Sequence, residues 1–193
     1  MLIVLAGIDG CGKGTQIRFL MEAFKDAVFV EPYAQNKFIK ELLDKGCSSD
    51  VIDMGYLVGL LDNIARNIEP LLERGEIVIA DRYINCAKVY ASLKNIAFLD
   101  RVDRLVPEPD LTIYFRLDAK TSYERIVSRA KQERRTQLDP HETPEILAEM
   151  VRKYDEIYKD MPNVVRIDAS KSKEEVARQT IKAVREAFRH KAV

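Results

Sequence analysis

Leu2-Ile-Val-Leu-Ala-Gly7-Ile-Asp9-Gly10-Cys11-Gly12-Lys13-Gly14-Thr15 is the stretch that decides the fold. Its opening residues, Leu2–Ala6, are an unbroken apolar run with β-branched members, the composition of a strand buried on both faces in a parallel sheet. Glycine then recurs at 7, 10, 12 and 14, so successive backbone N–H groups can turn inward and cradle phosphate oxygens. Beyond the loop, Ile17, Leu20, Met21 and Phe24 recur at three- and four-residue spacing, which predicts a helix over Thr15–Lys25. Such a helix directs the positive end of its dipole at the loop. Lys13 can reach the β- and γ-phosphates of a nucleoside triphosphate and neutralise charge that develops there. The nearest hydroxyl after the lysine is Thr15 and not residue 14, so a magnesium ion would be held through water instead of directly. Asp9 places a carboxylate inside a phosphate cradle, which is electrostatically costly. It is either a turn-former facing solvent or a group that meets a sugar hydroxyl on the acceptor side.

Working outward, strands alternate with helices. Ala27–Val30 reads as a short strand. Phe38–Lys45 reads as a helix closed by Gly46. A long helix begins at Ser49 and Asp50 and runs to about Arg74, with a kink expected at Pro70 and a stop at Gly75. Ile77–Ala80 is the next buried strand, helical segments follow to about Arg104, and Leu111–Leu117 is a strand. Asp118 caps a helix over Ala119–Ala130, and Lys131–His141 is a polar, basic loop. Thr143-Pro144-Glu145 opens another helix, Val164–Ile167 is the last strand, and Ser172 with Glu175 forms a capping box for the final helix, whose Val176, Thr180, Ile181, Val184 and Phe188 share one face. This order predicts one α/β domain over residues 1–193: a three-layer arrangement with a five-stranded parallel sheet, helices on both faces, and a lid near 131–141.

Composition narrows the function. Lys plus Arg and Asp plus Glu number 31 each, so no broad basic face for nucleic acid is expected. Cys11, Cys47 and Cys86 are widely spaced without a CxxC pair, which argues against a zinc site or a disulfide framework and for a reducing, cytoplasmic location. The apolar N-terminus runs directly into the glycine loop and reads as a strand, not a leader. No apolar run reaches the roughly 20 residues a membrane span needs. No Asn-Lys-x-Asp tetrapeptide occurs, so a guanine-reading switch is not indicated.

Arg125 and Arg129 lie at i, i+4 on one helix face, and Lys131, Arg134 and Arg135 follow. Phosphoryl transfer needs positioning and charge neutralisation more than covalent chemistry, so cations that close over phosphates fit. A solvated basic face is the plainer alternative.

At this point the chain resembles a family. Gly7–Thr15 with the following Gln16 is similar to the P-loop of nucleoside monophosphate kinases, Asp9 being the thymidylate kinase variant. Asp81-Arg82-Tyr83 resembles that family's DR(Y/F/H) motif, Tyr90 falls where it carries a tyrosine beside the sugar, and Met54 to Tyr83 matches its long helix, loop and strand without a gap. The resemblance implies ATP and Mg2+ as cofactors and dTMP as acceptor. Gly7, Gly10, Cys11, Gly12, Lys13, Gly14, Thr15, Arg125 and Arg129 would bind ATP. Asp9, Glu31, Tyr56, Arg82 and Tyr90 would bind the acceptor, with Asp9, Lys13, Arg82 and Arg129 catalytic, and Asp81 and Thr15 would serve the metal. It implies a homodimer, small-molecule nucleotide substrates and no nucleic-acid or membrane partner.

The base-reading positions depart from the pattern. Leu60 stands where the family has an arginine, Ala91 replaces a glutamine and Cys86 a serine. Glu31-Pro32 lacks the flanking arginine, being preceded by Val30, and is followed by Tyr33 in place of glycine. Asn63, Arg66 and Gln35 are nearby substitutes. A kinase for another pyrimidine or deoxynucleoside monophosphate, a nucleoside kinase using Glu31 as its carboxylate, and a nucleotide-binding regulator without turnover remain alternatives.

Overall fold

The computed structural model describes residues 1–31, 37–90 and 101–191. Five strands, β1 (Leu2–Ala6), β2 (Ala27–Val30), β3 (Ile77–Asp81), β4 (Leu111–Arg116) and β5 (Val164–Asp168), form one parallel sheet in the order β2-β3-β1-β4-β5. Ala27 pairs with Ile77 and Val30 with Ala80 at one edge, and Thr112 with Val164 and Arg116 with Asp168 at the other. Every residue of β1 is buried, so both of its faces are covered, as its unbroken apolar run requires. The strand order reverses at β1, and the glycine loop leaves its carboxyl end, the place where ligands bind in open α/β sheets.

The described residues group into two compact units, Met1–Val4 with Asp26–Asp110, and Leu5–Lys25 with Leu111–Val193. In the first, Leu2 and Val4 share a core with Leu57, Leu60, Ile64, Ile68, Val78, Ala80, Tyr83 and Ile84. Helices α2 (Lys37–Asp44) and α3 (Ser49–Asn63) pack together here, and α3 also meets α5 (Ile84–Tyr90). Asp110 locks β1 in place: its carboxylate accepts from the Leu2 amide at 2.7 Å while its own amide donates to the Leu2 carbonyl at 2.9 Å.

The long helix expected to run to Arg74 is interrupted. After α3 the chain widens into a π-turn at Ile64–Ile68, where the Glu69 amide bonds the Ile64 carbonyl five residues back, before α4 (Glu69–Glu73) resumes. Pro70 supplies the cause. It has no N–H for the Arg66 carbonyl, and its ring crowds that carbonyl, so the irregularity falls on the turn before the proline.

In the second unit α1 (Lys13–Ala23) packs on the final helix α8 (Lys173–Lys191), and α6 (Ala119–Gln132) on α7 (Pro144–Ile157). Tyr114, Tyr154 and Tyr158 stack about one another with centroids 5.4–5.7 Å apart. Three of these helices start on the caps read from the sequence: Asp118 accepts from Thr121, Thr143 from Ile146 and Ser172 from Glu175. Helix α1 begins two residues earlier than the apolar spacing predicted, at Lys13. Helix α6 runs past Ala130 to Gln132, so the basic loop starts later than expected. Arg134, at φ +55°, ends it: the Arg134 amide donates to the Lys131 carbonyl and the Arg135 amide to Ala130, a left-handed cap built without glycine.

The Thr121 amide holds the Asp118 carboxyl below its ordinary value. That contribution is therefore complete above the ordinary carboxylate pKa and disappears as pH falls through the lowered one. Asp118→Ala should cost about 1 kcal/mol at pH 7 in urea unfolding, and the gap between variant and parent should shrink in acid. A gap that does not narrow would show that the carboxylate is not the cap.

Candidate functional site

The glycine loop is shaped by constraints its neighbours impose. Gly10 sits at φ +76°, and a Cβ there would lie 2.7 Å from the Ser122 carbonyl oxygen. Gly12, at φ +94°, is the N-cap of α1 and offers no side-chain oxygen to it. The first turn of α1 also carries no acid. Its sister helices in the same unit spend their first amides on Asp118, Thr143 and Ser172, whereas the leading amides of α1, Lys13 and Gly14, have no acceptor within the helix. An uncapped, positively polarised helix start favours negative charge at its end.

Lys13 is folded into this loop. It is 8% exposed, and its ammonium donates to the Gly7 carbonyl at 3.2 Å and lies 3.9 Å from the Cys11 sulfur. The loop is pinned from α6, where the buried Ser122 hydroxyl donates to the Asp9 carbonyl. From α1 the buried Gln16 amide donates to the Lys173 carbonyl at 3.2 Å. Ser122 does not stand out in the sequence, since a lone polar residue on a helix carries no signal until its partner is known, and Gln16 is read there only as the residue that follows the loop motif. Thr15 is half-buried and Gly14 faces open space.

The arginines predicted on α6 part ways. Arg125 is tied to the fold, donating to the Ala169 carbonyl at 3.1 Å. Arg129 is 48% exposed and reaches a buried carboxylate, Glu142, at 3.5 Å.

In the other unit, β3 ends at Asp81 and the chain turns at Arg82, whose φ of +72° is a left-handed conformation that costs a non-glycine residue about 1–3 kcal/mol. The guanidinium lies over the Tyr90 ring, 4.4 Å from its centroid, so two predicted acceptor residues are in cation–π contact. The neighbouring Tyr83 is buried and donates to the Pro107 carbonyl at 3.0 Å, and burial pushes its phenol well above the ordinary range. One oxygen of Asp81, Oδ1, is buried without a hydrogen-bond partner. Among the described residues no cluster of three or more His, Cys, Asp or Glu could hold a metal. A single carboxylate with one oxygen unpaired suits magnesium, which keeps most of its waters and takes one or two carboxylates plus phosphate oxygens.

Glu31 lines an open cavity of 460 Å³ together with Asn63 and Arg66, so three candidates for acceptor contact border one space. Arg66 is exposed and paired with Asp62 at 2.6 Å, whereas Asn63 Oδ1 is buried without a partner. Leu60 is fully enclosed in the core. Tyr56 is exposed on α3. Pro32, Tyr33, Gln35 and Ala91 lie outside the described residues.

The family model described as thymidylate kinase matches residues 5–180. The chain belongs to the thymidylate kinase family. It is 32% identical to the probable thymidylate kinase of Pyrobaculum aerophilum, over 98% of each chain. It is 32% identical to that of Halorubrum lacusprofundi, over 91% of this chain and 93% of the relative. To the thymidylate kinase of Mesoplasma florum it is 27% identical over 96% and 95%. The family match includes the loop from Leu5, Asp81-Arg82, Tyr90, Arg129 and Glu142.

The two glycines of the loop that look alike in sequence should respond differently to substitution. Gly10→Ala forces both a clash and a strained φ, and should lower stability by about 1–3 kcal/mol. Gly14→Ser meets nothing, and should leave the melting temperature within about a degree of the parent. Equal losses in thermal unfolding would contradict the loop conformation.

Proposed function

We propose that this chain transfers the γ-phosphoryl group of ATP to dTMP, giving ADP and dTDP. The observation that carries the reading is the uncapped start of α1 with Lys13 folded into the glycine loop before it, in a chain whose family is thymidylate kinase. We assign ATP to the unit that contains this loop. Gly7, Gly10, Cys11, Gly12, Lys13, Gly14 and Thr15 hold the phosphates, and the Lys13 ammonium leaves the Gly7 carbonyl for a phosphate oxygen, a stronger, charge-assisted bond. Arg129 closes from the last turn of α6, which leads into the lid segment at about 131–141, and Arg125 steadies that helix. Asp9 orders a hydroxyl on the acceptor side.

The acceptor is assigned to the other unit. Arg82 takes its phosphate, pre-aimed by the strained turn and by Tyr90, so little reorganisation is left for the transition state. Tyr56 stacks on the base, since a tyrosine offers the same ring face as a phenylalanine, and Glu31 borders the cavity where Asn63 offers an amide. That side chain offers an amide N–H donor for a thymine carbonyl, a polar contact that Leu60 cannot supply. Asp81 would be the carboxylate that assists magnesium, and Thr15 the hydroxyl that the phosphate loop would offer it. When bound, the ion neutralises phosphate charge.

None of the described helices is long and apolar enough to cross a membrane. The unbridged Cys11, Cys47 and Cys86 suit a reducing cytoplasm. Val51, Met54 and Val58 recur on one exposed face of α3, an apolar stripe that suits a second copy of the chain in a homodimer.

A turnover panel of ADP release across nucleosides and nucleoside monophosphates tests the reading. dTMP should be the best acceptor, and Lys13→Ala should lower kcat by about a thousandfold without shifting the circular dichroism spectrum. Preference for a nucleoside, or full turnover in the lysine variant, would overturn it.

A further inference from the structure

Glu142 is the most deeply buried acid among the described residues of the lid region, and the sequence reading passed over it. Its residue exposure is 3%, a depth at which a carboxylate survives only when paired. Three groups pair with it. Arg135 grips it as a fork, Nη2 donating to Oε2 at 2.8 Å and Nη1 to Oε1 at 3.4 Å. The Asp139 amide donates to Oε2 at 2.8 Å. Arg129 donates to Oε1 at 3.5 Å, the edge of hydrogen-bonding distance, from a side chain that is half exposed.

These contacts are unequal in a useful way. The Asp139 amide holds Glu142 from within its own turn, and Arg135, seven residues before it, adds the 2.8 Å bond and a further contact to the Asp139 carboxylate at 3.2 Å. Arg129 comes from the last turn of α6 and is held least. A triphosphate carries more charge than a carboxylate and offers Arg129 shorter, charge-assisted bonds. When Arg129 leaves, Glu142 keeps Arg135, so no uncompensated charge is buried, the cost that makes single-partner buried carboxylates so sensitive.

We propose that Glu142 is a positioning residue for phosphoryl transfer: anchored by Arg135 and the Asp139 amide, it parks Arg129 in a pre-aimed and releasable position from which that arginine moves onto the phosphates of ATP. The inference rests on the assignment of Arg129 to ATP given above.

A double-mutant cycle on the full chain tests it, with kcat and KM for ATP measured at saturating dTMP and melting temperature recorded in parallel. Glu142→Gln should lower kcat by about ten- to a hundredfold, as loss of positioning does. In an Arg129→Ala background the same change should have no further effect on kcat, because the carboxylate acts through the arginine. An equal loss of kcat in both backgrounds, or a fall in melting temperature alone, would overturn the role of Glu142 while leaving that of Arg129 standing. Unchanged kcat and KM for ATP in Arg129→Ala would overturn the underlying assignment instead. If Glu142→Gln does not fold, Arg135→Gln serves: the carboxylate then has Arg129 as its remaining arginine and holds it harder, so KM for ATP should rise about tenfold. An unchanged KM for ATP in that variant would overturn the proposal.

Discussion

The structure depends on one unmet demand for hydrogen bonds. A helix start leaves amides without partners, and the other helices of the same unit satisfy that demand with Asp118, Thr143 and Ser172. Helix α1 has a glycine there and no acid in its first turn. The loop before it is held open by Ser122 from α6, while Gln16 ties α1 to the start of α8. Stability that a side-chain cap would have contributed is thus forgone at one point, and that point lies at the carboxyl end of the central strand. The proposed phosphoryl transfer needs helix-start amides that no side chain has already capped when the triphosphate arrives.

The same logic recurs where charge must be handled before substrate binds. Arg82 is kept in a left-handed conformation by the end of β3 and by the buried Tyr83 that follows, and its cation rests on Tyr90. Arg129 rests on Glu142. Lys13 rests on the Gly7 carbonyl. Each cation has a neutral or shared partner that a phosphate oxygen can displace, so the protein is not destabilised by free positive charge, and no cation is locked in a bidentate pair that a ligand would have to break. Arg125 and Arg135 are the contrast: both are fastened to the fold, one to a backbone carbonyl and one to a fork with Glu142.

Much of this was readable from residue order. The inner strands β1, β3 and β4 stand where apolar, β-branched runs predicted them, because a strand covered on both faces tolerates little else, and the half-exposed edge strands β2 and β5 were short enough runs to be read as well. Glycine spacing announced the loop, and three caps were visible as Asp, Thr and Ser before helical periodicity. What escaped reading has a common cause. The π-turn at Ile64–Ile68 is a backbone response to Pro70 that relocates the expected kink, and side-chain pattern does not record it. Ser122 and Glu142 act through partners far off or around a turn, so each looks like an ordinary surface residue in a chain with 31 acids and 31 basic groups, and the bond from Gln16 to Lys173 is equally invisible before folding. The left-handed Arg134 ends α6 where a glycine would have signalled it. Leu60 had a place in the motif alignment, but its burial in the core became visible only with the fold.

The most direct measurement of the central claim is amide NMR of the loop during titration with a non-hydrolysable ATP analogue. The account requires that the backbone N–H resonances of Gly10, Gly12, Lys13, Gly14 and Thr15 move together and downfield as the triphosphate binds. Binding that shifts other regions and leaves these five amides where they were would contradict it.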